Sequence, residues 1–320
     1  MSAYLIRRAL EALLTILLAS MLIFAMVGAL PGDPALAMLG DRATPDQVEA
    51  LRAYLGIDQP LLVQYVRWVR RVARGDLGYS LINGFPVSRL LARAFPVTLQ
   101  LTGWALAVVL LVSFPAGVYV ATHPGSHLSR VLSWYHGLAL AIPVFWLGVL
   151  LSWFFGVWLR WLPPSGFVPF SDSPLLWARN MVLPGVTLGL GVASIMGRFI
   201  QAALEDVLGR EFIRTARAKG LAERSVIWLH ALRNALIPIL TVFGIYAGFF
   251  IGGAVITESV FAIPGMGSAL WRAILSRDYL VTQSIILLSV VGFVLISLAV
   301  DVTYAVVDPR IRHQKGTGQS

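Results

Sequence analysis

The chain has 320 residues, 58% of them hydrophobic and 13% charged, with a mean hydropathy of +0.77 and a formal net charge of +9. A soluble domain of this length has no use for so large an apolar share, so the composition points to a membrane protein. The absence of cysteine excludes disulfides, thiolate metal sites and cysteine nucleophiles.

Beyond Arg7, Arg8 and Glu11, six windows lack Asp, Glu, Lys and Arg for 18 residues or more: 12–32, 94–129, 131–159, 180–197, 234–257 and 279–300. Each can cross a hydrocarbon core of roughly 30 Å, which takes about 20 helical residues. The His123-Pro124-Gly125 break divides the second window, so one span ends near Ala121 and a loop precedes the third. The first apolar run, 12–30, exceeds the roughly 7–15 residues of a cleavable signal's apolar region, and a retained anchor is expected. The economical reading is an all-α integral membrane protein: an N-terminus over 1–11, six transmembrane helices within 12–307, and a solvated tail over 308–320.

The basic residues set the expected topology. One set of segments carries Arg7, Arg8, Arg130, Arg210, Arg214, Arg217, Lys219, Arg224, Arg233, Arg310, Arg312 and Lys315, whereas the opposite short loops carry only Arg160, Arg179, Arg272 and Arg277. Both termini are therefore expected to be cytoplasmic. The segment from Asp33 to Arg93 is Arg-rich but long enough to escape that bias. The positive charge is spread around membrane spans, not gathered on a soluble face, so it argues for topology and against a nucleic-acid partner.

The long outer loop, 33–95, has its own helix signals. Thr44, Pro45 and Gln47 read as N-cap, first-turn proline and capping-box partner, and Gly56 as the stop, which predicts a helix over 45–55. A second helix is expected from Pro60 to before Gly75, with Leu61, Leu62, Tyr65, Trp68, Val69 and Val72 at helical spacing among Arg67, Arg70, Arg71 and Arg74. It is expected to lie in the membrane surface or pack on neighbouring spans. Farther on, Gly185 and Gly189, and then Gly244, Gly248 and Gly252, repeat at four-residue spacing. Small residues in that pattern let helix backbones approach closely, either in packing within the chain or on a face lining a path against a second subunit.

Catalytic chemistry is missing from the pattern. Lys219, in RAKGL, and Lys315, in QKGTG, do not fit a P-loop. Ionisable residues fall at span ends or borders, namely Glu11, Arg198, Glu258 and Asp301, where snorkelling or end-capping accounts for them, and no mid-membrane carboxylate relay is visible. His123 and His127 are separated by a helix-breaking Pro-Gly, His136 and His230 are solitary without HExxH, and no serine stands in a GxSxG elbow. The segment over 204–235 differs in kind. It mixes Arg210, Arg214, Arg217, Lys219, Arg224 and Arg233 with Glu205, Asp206, Glu211 and Glu223, turns at Gly220, and adds Phe212, Ile213, Leu221, Val226, Ile227, Trp228 and Leu229. Apolar residues among such charges suit a docked element that transmits motion better than a solvated loop.

Within that segment, EFIRTARAKGLAERSVIWLHALRNALIPILT (211–241) resembles the cytoplasmic "EAA" loop of ABC importer permeases, with Arg214-Thr215-Ala216 followed by Gly220. The wider chain is similar to the "B"-type permeases of the dipeptide/oligopeptide/nickel branch through LPGDPA (30–35), LGIDQPLLVQYVRW (55–68), GDLGYS (75–80), the FWLG after Pro143, LPPSG (162–166), LPGVTLGLG (183–191), ESVFAIPGMG (258–267), RDYLVTQ (277–283) and DPRIR (308–312), all in order. The resemblance implies a type I ABC importer permease fold. It also implies a bacterial or archaeal cytoplasmic membrane location and a second, unlike "C"-type permease. Two ATPase subunits holding ATP and Mg2+, an extracytoplasmic substrate-binding protein and surrounding lipid complete the implied assembly, with no cofactor or metal on this chain.

Carried over residue by residue, the implied ATPase-coupling segment is Arg214, Thr215, Ala216, Arg217, Ala218, Lys219, Gly220 and Leu221. The wider pattern has Glu where this chain has Arg214, and an earlier proline than Pro238, so no glutamate contact is transferred. The implied activity is ATP-driven import of di- or oligopeptides without covalent change, with nickel complexes, glutathione or opines as alternative cargo. A self-sufficient ion-coupled carrier is the alternative from another class.

Overall fold

The computed structural model describes residues 2–28, 44–55, 58–80 and 82–307, and among them the only extended pairing is an isolated bridge between Tyr79 and Pro86. All of LPGDPA, Gly56 and the tail after Val307 lie outside the described residues. The helices in chain order are α1 (Ser2–Gly28), α2 (Pro45–Leu55), α3 (Leu61–Ala73), α4 (Val87–Thr122), α5 (His127–Ala141) and α6 (Val144–Leu151). A π-wound turn (Ser152–Trp158) then leads to α7 (Pro174–Leu208), α8 (Glu211–Ala218) and α9 (Glu223–Ser225). A second π-wound stretch (Val226–Ala231) joins α9 to α10 (Leu232–Gly253), followed by α11 (Val255–Val260), α12 (Met266–Leu275) and α13 (Tyr279–Val307).

Five stretches are long and apolar enough to cross a membrane: Ile6–Met26, Val87–Thr122, Pro174–Leu208, Glu223–Gly253 and Tyr279–Thr303. The window 131–159, expected as one span, is instead a pair of helices bent by 108°. Pro143 is the cause. It has no N–H for the ladder, and it holds Ile142 at φ −88°, ψ 119°, outside the helical region. The six-span count therefore holds only with this bent pair taken as one. The edges move as well: α4 begins at Val87, inside the expected 33–95 loop, and α7 ends at Leu208, inside the expected 204–235 loop.

Close approach at glycine organises the bundle. Helices α4 and α7 run side by side in the same direction. A Cβ on Gly189 would stand 2.8 Å from the Ala105 carbonyl oxygen, and one on Gly185 2.9 Å from Trp104 Cβ. Further along, a Cβ on Gly117 would meet the Gly197 carbonyl oxygen at 2.6 Å. On these two helices Leu101, Ala105, Val109, Met181 and Ala193 are fully excluded from solvent. Helices α10 and α13 pack antiparallel, with Gly244 against Val300 and Gly248 against Phe293. Helix α1 lies along α13, joined at one end by Arg8 to Asp301 at 2.8 Å.

The early helices behave as their residues predict. Thr44 N donates to Gln47 Oε1 at 3.0 Å and Gln47 N to Thr44 Oγ1 at 3.4 Å, which is the reciprocal capping box. Helix α3 turns Tyr65, Trp68, Val69 and Val72 onto Ile23, Phe24 and Leu287, with Tyr65 and Ser20 hydroxyls 2.8 Å apart. Its arginines face outward, so of the two expected arrangements the packed one is present.

Candidate functional site

The charged hairpin after α7 is built by three local devices. Arg210, extended at φ −75°, ψ 152°, starts α8 away from the α7 axis. Gly220, at φ +75°, ends it: its N–H reaches the Arg217 carbonyl at 2.9 Å and the Leu221 N–H reaches the Ala216 carbonyl at 3.4 Å. That pair of bonds is a Schellman termination, which needs the left-handed backbone glycine adopts cheaply. Across the turn, Arg217 grips Glu223 through two bonds, Nη2 to Oε1 at 2.6 Å and Nε to Oε2 at 3.1 Å.

Helix α8 is amphipathic and seated by one face. Ile213 and Val226 are completely buried and Ala216 is 8% exposed, in one core with Leu204 and Val207 of α7. The other face opens outward. Arg214, Thr215, Ala218 and Lys219 are exposed there, and the apolar Phe212 and Leu221 remain 41% exposed each. Trp228 and Leu229 extend this apolar rim, with Trp228 leaning on Phe114 at a ring separation of 6.3 Å.

Of the residues expected to couple, the structure brings Arg214, Thr215, Ala218, Lys219 and Leu221 to one accessible surface. Ala216 is turned inward, so its small side chain serves the seat of the helix. Arg217 is exposed but engaged: its guanidinium holds the Glu223 carboxyl below the usual carboxylate range, and it braces the turn. Gly220 supplies the turn itself. The ion pair could have been suspected from the charges flanking Gly220, but spacing alone does not say which of several acids Arg217 meets.

The glycines offered for packing or path lining divide as well. Gly185, Gly189, Gly244 and Gly248 are buried against other helices of the same chain. Gly252 is exposed, with Ser289 Cβ at 4.0 Å the nearest foreign atom.

Sequence reasoning missed a buried cluster at the opposite end of the bundle. Glu258, read as a span-end group, is 0% exposed. It accepts from Thr98 Oγ1 at 2.6 Å, from Ser268 N at 2.8 Å and from the Gly267 backbone, while Thr98 Oγ1 accepts from Met266 N at 2.8 Å. The carboxylate thereby caps the start of α12 and ties it to α4. A side chain at Gly265 would collide with that carboxylate, so the glycines of FAIPGMG were the available signal. Among the described residues no group of three or more His, Cys, Asp or Glu could hold a metal ion.

Comparison with known proteins agrees with this architecture. Residues 113–313 match the family described as binding-protein-dependent transport system inner membrane component, and residues 1–102 match its N-terminal membrane component. A Brucella abortus protein named as a peptide transport system permease is 39% identical over 313 residues, covering 98% of this chain and 100% of that protein. The glutathione transport system permease protein GsiC of Escherichia coli O6:H1 is 39% identical over 311 residues, covering 97% of this chain and 99% of its own. A chain of the MetNI methionine ABC transporter in an inward-facing conformation shares the fold, with a TM-score of 0.57 at 22% identity over 68% of this chain and 96% of that one. The chain belongs to the inner membrane component family of binding-protein-dependent transport systems, as a membrane-spanning permease of an ABC importer.

Proposed function

We infer that the chain is the "B"-type half of a translocation path, paired with an unlike "C"-type permease, and that α8 with its Gly220 turn receives the motion of two separate ATPase subunits. ATP and Mg2+ belong to those partners, and an extracytoplasmic binding protein delivers cargo from the other side. The end carrying α8 is assigned to the cytoplasm together with both termini, because the basic residues of short segments gather there. Peptides are the proposed cargo. Relatives named for peptides and for glutathione, itself a tripeptide, support that class, with nickel complexes and opines as narrower alternatives. This chain moves its cargo without covalent chemistry.

The observation that carries the reading is the two-faced character of α8. Ile213, Ala216 and Val226 fix it to the bundle, so it moves only with α7 and the helix that follows. Meanwhile Arg214, Thr215, Ala218, Lys219, Phe212 and Leu221 offer a mixed charged and apolar surface of the kind that docks. The test is to purify the chain alone and as the assembled complex. Alone it should neither bind nor hydrolyse ATP, and the complex with its binding protein should take up peptide only when ATP is supplied. Nucleotide binding by the lone chain above background, or uptake by it under an ion gradient, would overturn the reading.

A further inference from the structure

At the end of the bundle opposite α8, a cleft of about 290 Å³ opens between the hairpin before α4, the first turns of α4 and the start of α12. Its wall includes Asn83, Phe85, Arg89, Arg93, Pro264 and Arg272. Arg89 and Arg93 are four residues apart and share a face of α4, and Arg272 approaches from α12. All three are exposed. Among the described residues none of their guanidiniums has an ion pair or a side-chain hydrogen bond, and no carboxylate lines the cleft.

This arrangement is unfavourable when empty. Three like charges share one concavity, and two of them stand in the first two turns of a helix with no acidic residue in its first turn, where the backbone dipole already presents positive charge. Glu258, the acid whose field reaches Arg272, is engaged by Thr98, Gly267 and Ser268 and is closed to solvent. The arginines are also carried on braced elements. Val87 N donates to the Gly78 carbonyl at 3.0 Å, Ser80 Oγ donates to the buried Asp278, and the Glu258 cap holds α12.

We propose that this cleft is an anion-recognition site that takes the carboxylate of a peptide cargo at the outer end of the path, a proposal that rests on the peptide-importer reading above. Guanidinium forks match a carboxylate in two-point geometry. Asn83 adds amide hydrogen-bonding capacity for a peptide group, and Phe85 with Pro264 gives the adjoining stem an apolar wall. The phosphate of an anionic lipid headgroup offers the same oxygen chemistry, so the test separates the two sources.

The assembled complex is placed in nanodiscs without its binding protein, and binding of trialanine and of trialanine amide is measured in zwitterionic lipid. The wild type should bind the free carboxylate at least tenfold more tightly than the amide. The combined Arg89→Gln, Arg93→Gln and Arg272→Gln variant should lose that preference while keeping its subunits and ATPase activity, and Arg272→Lys alone should retain part of it. Equal binding of acid and amide by the wild type, or an undiminished preference in the triple variant, would overturn the proposal. So would a triple variant that loses only the retention of anionic over zwitterionic lipid, which would assign the cleft to a headgroup. Uptake assays with the binding protein keep the two readings apart. Uptake without carboxylate preference removes the cleft alone, whereas no uptake of trialanine or glutathione by the wild type removes the importer reading and the cleft with it.

Discussion

Thr98 and Glu258 stand 160 positions apart in the chain and are joined by a hydrogen bond of 2.6 Å in which the threonine hydroxyl donates to the carboxylate. Because the same hydroxyl accepts from Met266 N, one threonine links α4, α11 and the start of α12. The outer cleft and the α4–α12 joint both depend on this link.

Glu258→Ala should therefore be costly. It removes the acceptor for the Thr98 hydroxyl and for two backbone N–H groups, each worth about 1–3 kcal/mol when left unsatisfied in the interior. The expected loss is about 3 kcal/mol or more, read as a lower apparent unfolding temperature of the solubilised complex. Glu258→Gln keeps one acceptor oxygen and should lose less. A fully stable alanine variant would show that the network is incidental.

The glycine repeat on α10 should divide by position. A Cβ at Gly248 would lie 2.6 Å from Phe293 Cδ2, so Gly248→Leu overpacks the α10–α13 seam, at a cost of about 1–3 kcal/mol. Gly252 meets nothing closer than 4.0 Å, and Gly252→Ala should leave stability intact or raise it through helix propensity, by up to about 1 kcal/mol. Subunit retention during purification and thermal stability of the two variants check this contrast. Equal damage at both positions would contradict it.

Arg217 and Glu223 give a prediction about geometry separate from docking. Arg217→Glu should impair uptake by releasing the turn, and the exchange Arg217→Glu with Glu223→Arg should restore a substantial part of it if the brace is what matters. The pair is exposed and screened, so its stability share is small. Its sign is fixed: the Glu223 pKa is lowered in the folded chain. The contribution is thus full above the ordinary carboxylate range and fades as pH falls through the lowered value. No recovery in the exchanged variant would move the role of Arg217 from the turn to a partner.

Local signals were legible in the sequence, and long-range partners were not. The Thr44–Gln47 box, the Gly220 stop and the apolar face of α3 each follow from residues within one or two turns. The bend at Pro143 escaped because hydropathy over 131–159 is uninterrupted, and window length says nothing about direction. Glu258 looked like an ordinary border acid, since its partner Thr98 lies in another helix. The four-residue glycine spacing announced close packing but not that Gly189 meets Ala105 and Gly248 meets Phe293. In the hairpin, apolar residues such as Ile213 among the charges marked a docked element, and only the fold shows that Ile213 and Ala216 are covered while Arg214 and Ala218 stay open.

If the open face of α8 meets an ATPase, a photochemical probe on that face will capture one. The chain has no native cysteine, so Ala218→Cys provides a single thiol on that exposed face for a maleimide-linked benzophenone. On illumination of the assembled importer in membranes, the probe at 218 should capture an ATPase subunit, while the same probe at Ser276→Cys, just past the end of α12 at the other end of the bundle, should not. Capture of only lipid or binding protein from 218, or of ATPase from 276, would contradict the coupling assignment.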